Sequence, residues 1–352
     1  VTAWPDRRFL ELTGARLPIV QAPMAGSSGV RMAIAALQAG AVGSLPCALL
    51  SPDQVATQVA EVRRDAAGPL NLNFFCHELG VAPDERAWRA LLAPFYAAEG
   101  VAAPSGAPVL RLPFDAAMCD MVEALRPEIV SFHFGLPEST LFARVKATGA
   151  RILASATIVA EARWLAERGV DAIIAQGFEA GGHAGWFLDR HRPVGLASLV
   201  RGMVATVDLP VIAAGGIADA KGMAGALTLG ASAVQIGTAY LNTPESLAPP
   251  AHRALLGTDA ETVFTNLLSG RAARGFVNHL MAELGAMRAE APVFPYSSIA
   301  LAPLRAHAEA DGRGDYSPFW AGQSAALVRP QPAHDFTERL ARDALALITG
   351  DF

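Results

Sequence analysis

The chain has 352 residues, 52% of them apolar and 17% charged, with 32 glycines and 24 prolines. At about 100–200 residues per domain, that is two ordinary domains or one large α/β barrel with additions, and its core needs neither disulfides nor a structural metal. The 28 basic and 33 acidic residues leave a net charge of −5, which speaks against a non-specific nucleic-acid binder. Low charge with high apolar content excludes a disordered chain.

In chain order, residues 1–12 carry charges where a signal peptide would carry its apolar stretch. The window 33–50 has no charge, but Gly40, Gly43 and Pro46 interrupt it. A bilayer span needs about 20 apolar residues, so the window reads as a buried helix running into a buried strand. Short apolar runs at 17–22, 41–46, 69–75, 128–134, 150–155, 171–176, 209–213 and 232–236 read as strands of a parallel sheet. Helix-like stretches lie between them, among them 52–66, 138–148, 159–168 and 219–229. Ser51 before Pro52 and Asp219 before an alanine-rich stretch are helix-start signals.

Strand–helix alternation sustained over about 240 residues predicts a (β/α)8 TIM barrel of α/β class. The alternative, an open doubly wound sheet, would want a GxGxxG turn after its first strand, and residues 25–29 do not supply one. The segment 110–112 is short and closely followed by Pro113, so it reads as loop. After Thr238 the alternation stops. The expected organisation is a barrel core over 1–241, a helical subdomain with proline-rich joints over 242–310, and a carboxy-terminal segment, 311–352, returning to the barrel with a helix over 336–348.

Three cysteines, Cys47, Cys76 and Cys119, form no CxxC pair, so a reduced, cytoplasmic setting is expected. Cys76 and Cys119 lack a basic neighbour in sequence and read as small buried side chains. No His/Cys cluster has metal-ligand spacing, and no metal is expected. GxSxG and P-loop patterns are absent as well.

In such a barrel the working residues follow the carboxy-terminal ends of strands. The polar and glycine-rich residues fall there: 21–26 after strand 1, Asn73 to His77 after strand 3, 131–135 at strand 4, 176–185 at strand 6, 214–219 at strand 7 and 235–238 at strand 8. Glycines after strands 7 and 8 let backbone N–H groups approach an anion, and many barrels hold a phosphate there. The plainer reading is that Gly215 and Gly216 only make a tight turn. His183 lies in a run too rich in glycine to be a helix interior. It can serve as base, donor or anion partner, or simply bond to backbone. His133 ends a buried strand and reads equally as a satisfied core histidine or a site residue. His77 and His191 read as ordinary surface residues.

Together these pieces resemble the nitronate monooxygenase family, class I-like, formerly called 2-nitropropane dioxygenases: FMN-dependent (β/α)8 barrels. The matching stretches are QAPMAG at 21–26, SFHFGLP at 131–137, QGFEAGGHAG at 176–185, AAGGIAD at 213–219 and QIGTAY at 235–240. In the tail, FTNLLSGRAARGFVN at 264–278 and WAGQ at 320–323 also match. AAGGIAD alone recurs across FMN barrels, whereas EAGGH with SGRAARG and WAGQ is specific. The resemblance implies FMN, with its phosphate at Gly215, Gly216, Gly237 and Thr238, and with Gln235 closing the strand before that loop. Ala22, Pro23 and Met24 would back the isoalloxazine ring, and Asn73, Gln176 and Gly181 would contact it or its side chain. The implied cofactor set also includes Gly182 and Gln323. Asn73 fits the family's pattern of Asn followed by apolar residues better than Asn71 does.

His183 falls on the family's catalytic histidine, and His133, Met24 and Phe75 on the substrate side. Apolar residues near strand ends, Phe75, Phe132 and Phe178, would suit a small apolar substrate. The implied reaction takes an alkyl nitronate, or a neutral nitroalkane deprotonated by His183, with dioxygen to a carbonyl compound and nitrite. No nucleic acid or membrane enters, and a monomer or homodimer is implied. The same fold also resembles flavin-dependent enoyl-acyl-carrier-protein reductases and NADH:quinone reductases, and a flavin-binding protein without turnover is the remaining alternative.

Overall fold

The computed structural model describes residues 4–104 and 110–350, so residues 1–3 of the charged amino-terminal stretch and 351–352 of the returning segment lie outside it. Its strands in chain order are β1 (Ile19–Gln21), β2 (Gly43–Pro46), β3 (Leu70–Phe75), β4 (Ile129–His133), β5 (Arg151–Ala156), β6 (Ala172–Gln176), β7 (Gly182–His183), β8 (Val211–Ala214), β9 (Ala233–Ile236), β10 (Thr262–Thr265) and β11 (Ala273–Phe276). All but β7, β10 and β11 form one parallel sheet in the order β1-β9-β8-β6-β5-β4-β3-β2. A parallel bridge between Val20 and Val42 joins the two ends of that order and closes the ring. The barrel expectation holds.

The helices form where the sequence carries both a start signal and a buried stripe. Pro52–Asp65 begins in a capping box: Gln54 N donates to Ser51 Oγ at 3.3 Å and Ser51 N to Gln54 Oε1 at 2.8 Å. Val55, Val59 and Val62 recur at helical spacing and are buried. Each such side chain contributes about 1.5–3 kcal/mol by leaving water. Ala220–Thr228 starts at Asp219, whose carboxylate accepts from Gly222 N at 2.8 Å. Among the described residues no helix is long and apolar enough to cross a membrane.

Period-two alternation along the strands sorts side chains between two cores. Val20, Val42, Ile129, Leu153, Ile174 and Ile212 fill the barrel interior, and Phe9 of a short amino-terminal helix, Arg8–Thr13, plugs its lower end. Leu70, Leu72 and Phe74 face the surrounding helices instead. Phe132 belongs to that outer layer, so it does not reach the substrate side as expected. Its neighbours Ser131 and His133 point inward because successive strand residues alternate.

The tail departs from the helical expectation for 242–310. β10 and β11 pair antiparallel within it, and β11 continues onto β7 at His183 and Gly182. Only long-range pairing reveals such short strands, since four residues carry no readable period. A separate apolar cluster underlies this region, and it recruits Trp88, Leu92 and Tyr96 from Arg86–Glu99, a helix inserted after β3. The addition is thus built partly from barrel sequence. The terminal helix Ala333–Thr349 packs against Val30–Ala39 and Ala220–Thr228 on the barrel exterior.

Candidate active site

A cavity opens at the carboxy-terminal mouth of the barrel. Its wall takes Ala22, Pro23 and Met24 after β1, Asn73 and Phe75 from β3, His133 from β4 and Gln176 from β6. Gly181, Gly182 and His183, then Gly215 and Gly216 after β8, and Gln235, Gly237 and Thr238 at β9 line it as well. Gln323 does not line it. That side chain is exposed, because its backbone N–H is held by Glu179 O at 2.9 Å in a turn whose flanking residues, Gly322 and Ser324, do line the cavity. Phe178 also lies outside this wall; Arg274 sits over its ring at 4.5 Å.

Three loops approach too closely for side chains. A Cβ on Gly181 would meet Ala321 C and Gly322 N at 2.6 Å, and one on Gly215 would meet Ala180 N at 2.8 Å. Gly215 and Gly216 also have φ of +118° and +69°, a region L side chains rarely adopt. Ser324 Oγ donates to Gly216 O at 2.7 Å, and Gly322 N to Thr238 Oγ1 at 2.9 Å, so the tail locks both glycine turns. Gly215 and Gly216 thus make tight turns and also line the cavity.

Asn71 and Asn73 both face inward, one layer apart. Asn71 spends its amide on Ser44 Oγ at 3.1 Å below the cavity, while Asn73, bonded to Ser131 Oγ at 2.9 Å, lines it. Gln176 clamps the histidine loop: its Nε2 donates to His183 O at 2.9 Å and its Oε1 accepts from Gly185 N at 2.7 Å. His133 Nε2 donates to the same carbonyl at 3.2 Å, and its Nδ1 meets Ser155 Oγ at 3.0 Å. Its ring is therefore hydrogen-bonded through both nitrogens and still lines the cavity. Burial, then the nearby Arg271, pulls the pKa of His133 down to about 4.

His183 is held from the tail. Its Nε2 lies 2.9 Å from Ser269 Oγ, and that hydroxyl donates to Arg271 O at 3.2 Å. A hydroxyl has one proton, so Ser269 accepts from His183 Nε2–H, and Nδ1 keeps the lone pair. Phe294 and Trp320 pack on the ring at 5.3 and 5.5 Å. Burial, followed by Arg111, His133, Arg271 and His77, holds its pKa well below 6.5. His183 is neutral at pH 7. His77 is buried and not a surface residue: its Nε2 lies 3.0 Å from Arg111 O and its ring meets Phe294 edge-on at 4.8 Å.

Sequence reasoning missed Arg111, Ser155, Ser269, Trp320 and Ser324. Arg111 sits in the segment read as plain loop, and an arginine inside an apolar run was the available clue. Glu161 was missed too. Fully buried, it accepts from Thr157 N at 2.7 Å and Oγ1 at 2.9 Å, and from Phe187 N at 2.7 Å and Leu188 N at 3.2 Å, tying down the chain just after His183. Glu161→Ala strands those donors and is expected to cost about 2–4 kcal/mol, read as a lower urea midpoint. An unchanged midpoint would remove this role.

The family profile described as nitronate monooxygenase matches residues 7–343. The chain belongs to that family. It is 42% identical over 350 residues to a nitronate monooxygenase of Paraburkholderia phytofirmans, covering 96% of this chain and 94% of that protein. It is 40% identical over 345 residues to a nitronate monooxygenase of Pseudomonas aeruginosa, covering 96% and 98%. The crystal structure of a nitroalkane oxidase from Streptomyces ansochromogenes superposes with a TM-score of 0.88 at 34% identity, covering 98% of this chain and all of that one. The family membership makes the chain an oxidoreductase.

Proposed function

We propose that the cavity holds FMN and that the protein oxidises alkyl nitronates with dioxygen to a carbonyl compound and nitrite. The observation that carries this reading is one cavity wall shared by the glycine turns and by a neutral His183 with a free Nδ1. The cavity fits a flavin by its chemistry. Gln235 Oε1 is buried there without a partner and can accept from a ring N–H, and Gly215, Gly216, Gly237 and Thr238 offer backbone to a phosphate. Met24, Ala22 and Pro23 supply an apolar backing for a ring.

A bound flavin would supply the redox chemistry that links nitronate oxidation to dioxygen. The chain's own residues bind, orient and move protons. His183 Nδ1 takes the proton from the carbon next to the nitro group of a neutral nitroalkane, or donates no proton and merely lies beside a preformed nitronate. Gln176 and His133 fix the backbone under that ring. Phe75, Phe294 and Trp320 keep water from it.

Denaturing the purified protein is expected to release FMN, identified by chromatography, with no FAD. The glycine turns present one phosphate site and no second nucleotide fingerprint. Anaerobic NADH is expected to leave the flavin oxidised, while a nitronate with dioxygen yields nitrite. Release of FAD sinks the cofactor assignment. Rapid bleaching by NADH favours a reductase, and bound FMN with no nitrite favours a binding protein.

A further inference from the structure

The cavity wall holds one arginine and, among the described residues, no carboxylate and no lysine. That arginine is Arg111. Its Nε is buried without a hydrogen-bond partner, and no acidic side chain pairs with it among the described residues. Its guanidinium lies over two aromatic rings, 5.7 Å from the centroid of Phe75 and 5.6 Å from that of Phe294. Other cations nearby are already committed. Arg271 donates to Ala184 O and Trp186 O, and Arg305 pairs with Glu309 at 2.7 Å.

Arg111 is half-buried with its Nε fully buried, and a desolvated cation without a partner is costly, a cost that an anionic ligand would offset. Burial and the repulsion of Arg305 lower its pKa to about 10, so it stays charged at neutral pH. His183, neutral there, cannot supply the positive charge an anion needs.

Arg111 does not sit with the glycine turns. Together with Phe75, His183 and Trp320 it forms the partition between the main cavity and an adjoining chamber of about 610 Å³, whose wall contains none of those turns. The chamber's wall takes Leu110, Leu112, Phe114 and Met118, and also Asp115 and Arg305. A charge at this partition faces the substrate end beside His183, not the phosphate end.

We propose that Arg111 is the counter-charge of the substrate, pairing with the two oxygens of a nitronate beside His183 and so selecting the ionised form over its neutral parent. This rests on the nitronate reading above. A nitronate resembles a carboxylate in presenting two coplanar oxygens that share one negative charge, and the planar guanidinium fork matches that geometry.

The test uses the flavin-loaded protein at pH 7. Calorimetric titration with acetate, a carboxylate stand-in for the two oxygens, is expected to give binding to the wild type that weakens about 10–100-fold in Arg111→Met. The KM for ethyl nitronate is expected to rise by a similar factor while kcat moves little, because the contact is made equally in ground and transition states. Arg111→Lys, which keeps the charge and loses the fork, falls between. Flavin content stays at the wild-type level in both variants. Absent acetate binding in the wild type, unchanged acetate and nitronate constants in Arg111→Met, or loss of flavin from it would each overturn the assignment. If the wild type fails to turn over nitronates yet Arg111→Met still loses acetate, the nitronate reading falls and the anion site stands.

Discussion

Replacing His183 by asparagine is expected to lower kcat/KM for a neutral nitroalkane by about 10²–10⁴-fold, the usual worth of a positioned base. Oxidation of preformed nitronate should lose far less, because an existing anion needs no proton removed. The difference follows from the proton inventory of the ring. Ser269 fixes the proton on Nε2, which leaves the lone pair on Nδ1, and burial with four neighbouring basic groups keeps the ring neutral at pH 7. Protonation would disable the base, and the pKa lies well below 6.5, so the base limb of the pH profile must lie below that value as well. Flavin content should not change, since the ring is held by Ser269 and by packing. Steady-state kinetics with both substrate forms across pH measures this. Equal, small losses for the two forms, or a base limb near pH 6.5 or above, would make His183 a bystander.

Gly215→Ala is expected to strip the protein of flavin, with content falling below half of one per chain and FMN affinity dropping by about 10-fold or more. Two effects act in one direction. A φ of +118° is closed to an L side chain, at a cost of about 1–3 kcal/mol. The added Cβ would also press on Ala180 N at 2.8 Å, displacing the loop that carries Gly181, Gly182 and His183. The control is Gly225→Ala, in the middle of Ala220–Thr228, where an added Cβ meets nothing within 4 Å. It should be neutral or stabilise by about 0.4–1 kcal/mol, since alanine restricts the unfolded chain. Absorbance of the purified holoproteins and FMN titration of the stripped proteins decide the matter. Wild-type FMN affinity in Gly215→Ala would show that the turn has no part in holding the cofactor.

The barrel was legible because its signals are local. Each strand is a short apolar run, and Ser51 and Asp219 announce the helices that follow them. Glycine turns at strand ends are equally visible, so Gly181, Gly215 and Gly237 could be named from their loops. Asn73 is preferred to Asn71 on the family's pattern of Asn followed by apolar residues, since the strand period puts both on the inner face; the fold adds that Asn73 lines the cavity while Asn71 bonds to Ser44 below it. Errors came where two distant segments meet. Gln323 sits in a matching stretch, yet the turn aims its neighbours, not its own side chain, at the cavity.

By itself, then, the sequence determined the parallel barrel, the strand ends that carry polar residues, and His183 as the candidate base. Hydrophobic period and turn chemistry act over a few residues, and a few residues of sequence are enough to read them. Tertiary structure alone decided how that histidine is held. Ser269 lies 86 residues away, and it sets which ring nitrogen keeps the lone pair. Arg111 comes from a segment with no secondary structure, and its lack of a carboxylate partner is a property of everything packed around it. Protonation state and charge balance are set by burial and by all nearby charges at once, and these exist only when the chain is folded.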